Sequence, residues 1–229
     1  MTSWTERPLA CADLETTGIV IGTDRVVTAY NGRINGADVT PRRWLADPGI
    51  DIPAAATEVH GITTEYARKH GRPHTDVIAE VVDDLYQIWD AGHVIAVFNG
   101  GFDFSMLASH HPGFEIRGPI FDAYVVDKHF DKWRKGRRKL VDVGAHYGVR
   151  PETAHDAEGD ALVAARLAWK MPRVYPELAR YTPDELMTAQ TDWYREQAYS
   201  FIDYLRRHNK PFTDVQTSWP LYTPKVHAA

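Results

Sequence analysis

Cysteine is nearly absent: Cys11 stands alone among 229 residues. No disulfide can form within the chain, which fits a reducing compartment. Long apolar runs are missing too. Nothing approaches the roughly 20 residues that a membrane-spanning helix needs, and the opening MTSWTERP holds no apolar stretch of the secretory kind. The expectation is a cytoplasmic protein with no membrane association. Nor is there an excess of positive charge. The net charge of −5 argues against a protein that coats long nucleic acid by bulk charge, though not against one that grips a short stretch with a local patch. No internal repeat or low-complexity tract is visible. What remains is 44% hydrophobic and 25% charged, the balance of a soluble chain with a sizeable core.

The hydrophobic pattern orders the elements. Residues 8 to 13 read as a buried strand ended by acids and Gly18. RVVTAYNGRI and DVTPRRWLAD read as two more strands, joined by NGRINGAD, so three strands in succession predict an antiparallel meander. PAAATEVHGITTEYARKHG reads as short helical pieces. In HTDVIAEVVDDLYQIWDAG, Val77, Ile78, Val81, Val82, Leu85, Ile88 and Trp89 recur at helical spacing on one face. VIAVF is a continuous apolar strand of the kind covered on both sides. NGGFDFSMLASHH turns into a helix. PIFDAYVVDKHF reads as a last strand leading into a helix that Asp122 caps, and LVDVGAHYGV as a short helix. AEGDALVAARLAWKM is an Ala- and Leu-rich helix expected to stop at Pro172. Thr182-Pro183-Asp184-Glu185 is a capping box with proline at the first helical position. It opens a helix running to about residue 208, with Leu186, Trp193, Gln197, Phe201, Tyr204 and Leu205 on one side. A meander followed by crossovers predicts a mixed sheet covered by helices. Cys11 reads as a small core residue.

Acids gather where such folds place sites. Asp13 and Glu15 stand two apart at a strand end and so face the same way. Asn99 and Asp103 lie just past the strand at 94–98. His155 and Asp160 open the Ala-rich helix. Four converging carboxylates would repel one another unless a cation neutralised them. Hard oxygen donors without clustered Cys or His suit Mg2+ or Mn2+ and speak against a structural zinc. Two such ions about 3.5 to 4 Å apart are a known device for phosphoryl chemistry. His155, with an unperturbed pKa near 6.5, can serve as general base. Asp156 and Glu158, between His155 and Asp160, are expected to face solvent.

DLETTG, NGGFD and HDAEGD resemble the three motifs of the DEDDh group of 3′–5′ exonucleases. This DnaQ-like superfamily includes the proofreading epsilon subunit of bacterial DNA polymerase III. Asp-x-Glu, Asn-x-x-x-Asp and His-x-x-x-x-Asp occur in the family's order, and TEVHGIT at 57–63 resembles a further family segment. The resemblance spans about residues 7 to 172. It implies an α/β, ribonuclease-H-like fold: a five-stranded mixed sheet flanked by helices, with an exonuclease domain at 1–180 and a C-terminal long helix and irregular tail at 181–229. Asp13, Glu15 and Asp160 would hold one ion, Asp13 would bridge to a second, and Asp103 would hold the water shell. His155 would be the general base. The backbone and hydroxyls of Thr16 and Thr17 would meet the 3′-terminal nucleotide, with Asn99, Phe102 and His60 about its pocket. The implied activity is hydrolysis of DNA from 3′ ends with two Mg2+ ions, Mn2+ substituting. An RNA exonuclease or oligoribonuclease-type enzyme of the same group is the alternative, and a non-catalytic binding subunit on the same scaffold is the other.

Taken singly, each motif is commonplace: Asp-x-Glu is usually an exposed turn and Asn-x-x-x-Asp a helix cap. Their joint occurrence carries the reading. WRKGRRK at 133–139 has five basic residues in seven. It reads either as a solvated loop or as a clamp on phosphates, with Arg137 and Arg138 as contacts and Trp133 stacking on a base. QTSWPLY at 216–222 resembles the peptides by which replication proteins dock on a sliding clamp. The alternative is a tail packed onto the domain by Trp219 and Tyr222. A polymerase is the other possible partner.

Overall fold

The structure, a computed structural model, describes residues 2–149 and 156–223. In chain order the elements are β1 Leu9–Thr16, β2 Val26–Asn35, β3 Asp38–Asp47, α1 Ala54–His60, α2 Thr64–His70, β4 Arg72–Pro73, α3 His74–Asp90, β5 Val94–Val97, α4 Gly100–His110, β6 Ile120–Asp122, α5 Ala123–Phe130, α6 Leu140–His146, α7 Ala157–Val174 and α8 Pro183–Arg207.

β1, β2 and β3 form the expected antiparallel meander. The tight link between β2 and β3 is Gly36-Ala37, with Gly36 at φ 63°, a left-handed turn position that glycine occupies without strain. β5 and β6 then add in parallel beside β1. The sheet has six strands in the order β4-β3-β2-β1-β5-β6, one more than expected. The extra strand is the two-residue β4, which pairs with the end of β3 and is too short to leave a period in the sequence.

Helices cover both faces, and the alternation of β2 sorts them. Asn31 and Arg33 bond Asp84 of α3, while Tyr30, pointing the other way, lies against Glu158 of α7. The seven apolar residues picked out on α3 are all buried. α7 crosses β1, β2 and β5. Pro172 does not stop α7, which runs on to Val174. A proline in a last turn forfeits only its own N–H bond, and the helix closes with Tyr175 N–H donating to the Met171 carbonyl at 2.8 Å.

α8 begins at the predicted capping box on Thr182 and Glu185. Its buried side differs from the expected one. Leu186, Gln190, Trp193, Ile202 and Leu205 are covered, whereas Phe201 and Tyr204 are exposed. Gln190 has a structural task. Its Oε1 accepts from Asp122 N at 2.7 Å and its Nε2 donates to the Ile120 carbonyl at 2.8 Å. The side-chain amide thus pairs with the open edge of β6 as another strand would. Gln190→Leu keeps the bulk but leaves both backbone groups buried and unpaired. It should destabilise the protein by about 2–4 kcal/mol, measured by urea denaturation; a change below about 1 kcal/mol would disprove this role for the glutamine.

Candidate active site

β1 extends past residue 13, so Asp13 and Glu15 lie inside the strand, opposite Tyr30 and Thr28 of β2. They share the face that carries Cys11, beneath α7. Asp160 comes down onto the same place from the first turn of α7. That helix starts with small buried residues, Ala157, Gly159 and Ala161, which let its backbone approach the sheet. One carboxylate oxygen from each of Asp13, Glu15 and Asp160 falls within 4.8 Å of the others. Asp156 caps α7 by accepting from Gly159 N at 2.6 Å. Glu158 does not simply face solvent: it forms a bidentate ion pair with Arg43 of β3.

Asp103 stands outside that trio but beside it. Its charge is the strongest of those acting on Asp13, followed by those of Glu15 and Asp160. Its placement depends on an abrupt turn from β5 into α4. Asn99 adopts φ 63° and ψ 37°, a left-handed conformation that asparagine and glycine accept where most other residues would be strained. Asp122 secures the turn. Its carboxylate accepts from Asn99 N at 2.9 Å and Gly100 N at 3.0 Å. The same carboxylate caps α5 through Tyr124 N at 3.1 Å and accepts from Trp219 Nε1 at 3.1 Å. The sequence marked Asp122 as a cap alone. Its wider role was missed because its partners lie 22 to 97 residues away.

The cluster is electrostatically loaded. Burial, then Asp103, Glu15 and Asp160, hold the Asp13 carboxyl well above its usual range. Burial, with Asp160 and Asp156, lifts Glu15 to about 7. Burial lifts Asp103 to about 8, with Asp122 and Glu15 adding to it and backbone hydrogen bonds opposing. Half-buried carboxyls crowded this closely are what a hard divalent ion neutralises. The donor set therefore fits such an ion.

The other predicted residues are placed as follows. His60 is half-buried beside the Thr16 backbone. Its Nδ1 accepts from Ile62 N at 3.1 Å, and its Nε2 is buried on the Thr16 side. Phe102 is half-buried in the first turn of α4 and donates its N–H to the Asn99 carbonyl at 3.0 Å. Thr16 Oγ1 donates to the Gly18 carbonyl at 2.6 Å. The Thr17 hydroxyl is committed to its own loop, donating to Asp24 at 2.9 Å and accepting from Arg25 N at 3.0 Å. With Thr17 only 2% exposed, that hydroxyl is not available to a nucleotide. Arg138 is also turned inward. With Arg134 it is paired to the fully buried Asp127 of α5, and it donates to the carbonyls of Asp127 and Asp131. Arg137 stays exposed. His155 lies outside the described residues. In the tail, Trp219 is 5% exposed, and Tyr222 stacks on Tyr194 of α8; both aromatics are engaged within the chain.

A profile of the RNase T family, described as exonuclease, matches residues 11–168. The chain belongs to this exonuclease family. No curated protein matches it in sequence. Among solved structures it is similar to exonuclease I, at 18% identity and TM-score 0.61, with 77% of this chain and 43% of that one covered. It is similar to Escherichia coli exonuclease I in complex with a dA16 oligonucleotide, at 17% identity and TM-score 0.59, with coverages of 77% and 43%. It also resembles exonuclease X in complex with 5′-overhanging duplex DNA, at 18% identity and TM-score 0.57, with coverages of 80% and 99%. The exonuclease-family chain thus spans less than half the length of exonuclease I. The likeness carries the ribonuclease-H-like exonuclease fold. None of its described helices is long and apolar enough to cross a membrane.

The raised carboxyls of this exonuclease-family site have a measurable consequence. Unfolded, Glu15 and Asp103 would titrate near 4; folded and metal-free they titrate at about 7 and about 8. The folded state then binds more protons than the unfolded one between those values, so these groups' contribution to stability falls as pH rises from about 4 to 8. Asp103→Asn removes one charge from the cluster. In EDTA at pH 8 it should raise Tm above wild type, by about 2–4 °C per kcal/mol of repulsion relieved. The gain should shrink towards pH 5. Equal Tm values at both pH values would contradict the repulsion.

Proposed function

We propose that the protein is a Mg2+-dependent 3′–5′ exonuclease that removes nucleoside 5′-monophosphates from single-stranded or frayed DNA ends. The observation that carries this reading is the convergence of Asp13, Glu15 and Asp160 within 4.8 Å, with Asp103 the strongest neighbouring charge on Asp13. DNA is favoured because the similar exonuclease I and X structures are described with DNA. Asp13, Glu15 and Asp160 would hold the metal, Asp13 shared between two ions and Asp103 supporting from α4. Such a pair supplies Lewis-acid stabilisation of both the attacking and the leaving oxygen. His155 takes the proton of the attacking water. His60, half-buried beside the Thr16 backbone, lines the place where the terminal nucleotide would sit. Phe102 and Asn99 wall the same pocket, and Thr16 contributes its backbone.

The rest of the strand is assigned to the basic segment. From Lys128 to Lys139 there are seven Lys and Arg against one Asp, Asp131, a balance of +6 in a chain of −5. The Asp127 ion pairs anchor this segment rather than leaving it a loose loop. Trp133, 87% exposed, and the exposed Lys135, Arg137 and Lys139 point outward from it. Arg138 belongs to the anchor and not to the outward surface.

A time course on 5′-labelled single-stranded DNA, with a matched RNA, tests the reading. The expected result is a ladder shortening from the 3′ end, abolished by EDTA and restored by Mg2+ or Mn2+. Internal cuts, shortening from the other end or EDTA resistance would overturn it, and faster loss of RNA would move the substrate to RNA. Asp13→Ala should lower turnover beyond the roughly 10–100-fold that losing a ligand's supporting partner costs. Arg137→Ala should flatten the log–log salt dependence of binding by about 0.7 for each single-strand phosphate that is no longer neutralised. Trp133→Ala should weaken binding by about 1–3 kcal/mol if a base stacks there. Unchanged binding in both variants would remove the basic segment from the substrate path.

A further inference from the structure

We infer that the C-terminal tail is part of the active-site scaffold. In this role Trp219 is a positioning residue that acts through Asp122 on the turn carrying Asp103. The inference rests on the metal-site reading above. Four observations meet at the turn. The Asp122 carboxylate holds the N–H groups of Asn99 and Gly100, and the Trp219 indole donates to the same carboxylate at 3.1 Å. Gln190 of α8 fixes the backbone of Asp122 from the other side. Tyr222 lies over Gly101, where an added Cβ would come within 2.6 Å of its ring. Tyr222 N–H donates to Ser105 Oγ at 2.8 Å, and that hydroxyl donates to the Gly101 carbonyl at 2.6 Å.

The tail therefore grips the first turn of α4 at Gly101 and Ser105, on either side of Asp103 in the sequence. Asn99 takes the left-handed conformation at φ 63° that asparagine tolerates better than other side-chain-bearing residues, and bonds from outside the turn keep it there. Its two supports are the backbone bonds to Asp122, and the indole N–H orients the carboxylate that makes them. Without that donor the carboxylate keeps its backbone partners at Asn99, Gly100 and Tyr124 but loses the indole that holds it from the tail side, so its grip on the turn loosens and Asp103 shifts relative to Asp13. Groups hydrogen-bonded directly to metal ligands govern affinity by about 10–100-fold, and a support acting through the turn is expected at the lower end of that range.

The test uses the full chain with Trp219→Phe, which keeps a ring in the pocket and deletes the N–H, and with Tyr222→Ala. Two quantities are read without substrate: Mn2+ affinity by calorimetry and amide exchange over residues 98–105. Both variants should lose about tenfold in Mn2+ affinity and exchange the 98–105 amides at least about tenfold faster, with the β1–β3 amides unchanged. Turnover should fall in kcat with KM within about twofold. A lowered Tm with wild-type Mn2+ affinity and wild-type exchange at 98–105 would reduce the tail to ordinary packing and overturn the inference. If the wild-type protein binds Mn2+ but releases no nucleotide, the functional reading fails while this one is still decided. If the wild type binds no Mn2+, the exchange result alone decides whether the tail holds the turn.

Discussion

Mutual repulsion among half-buried carboxylates is the constraint on which the rest of the molecule depends. Asp13, Glu15, Asp103 and Asp160 come from three separated stretches of chain, and each would be better solvated apart. Folding forces them together because β1 must be the centre of the sheet, α4 must leave the end of β5 and α7 must cross both. The hydrophobic interior supplies the compensating stabilisation: Ala10, Cys11, Ile95, Ala96, Val97, Phe104, Ala161 and Ala164 are all essentially inaccessible. The site is thus a strained part of a well-packed fold, as sites that bind cations commonly are.

Supporting that strain falls to a fifth carboxylate, outside the cluster. Asp122 sits where β6 ends, two strands from β1, and accepts from backbone N–H groups of α4 and α5 and from the indole of Trp219 in the tail. Because β5 and β6 are parallel neighbours, the end of β6 lies level with the turn into α4. A residue at that place can restrain the turn without entering the reaction. α8 and the tail come after the segment matched to the family, yet they lock onto this point, so the added helix is continuous with the site's support.

Much of the fold and the trio was legible in the sequence because the signals there are local. The spacing of Val77 to Trp89 sets α3. The alternation through Asp13 and Glu15 sets their shared face. The Thr182 capping box sets the start of α8. What escaped was decided by contacts between distant residues. Arg138 looks like a free cation in a basic run until Asp127, buried on the preceding helix, claims it. Phe201 and Tyr204 fit a helical stripe, but packing chose the neighbouring stripe through Gln190 and Ile202. Thr17 belongs to a family-like motif, yet Asp24, seven residues on, takes its hydroxyl. The bond from Trp219 to Asp122 spans 97 residues and leaves no mark on local pattern.

Cys11 lies under the acidic cluster, fully buried, with its thiol pushed to about 12 by burial above all. A sulfur so shielded forms almost no thiolate near neutrality and gives alkylating reagents and peroxide little to attack. The native chain therefore behaves toward such reagents as though it had no cysteine. Single cysteines can be introduced at surface positions and labelled selectively, with the original sulfur left in place under the acidic cluster.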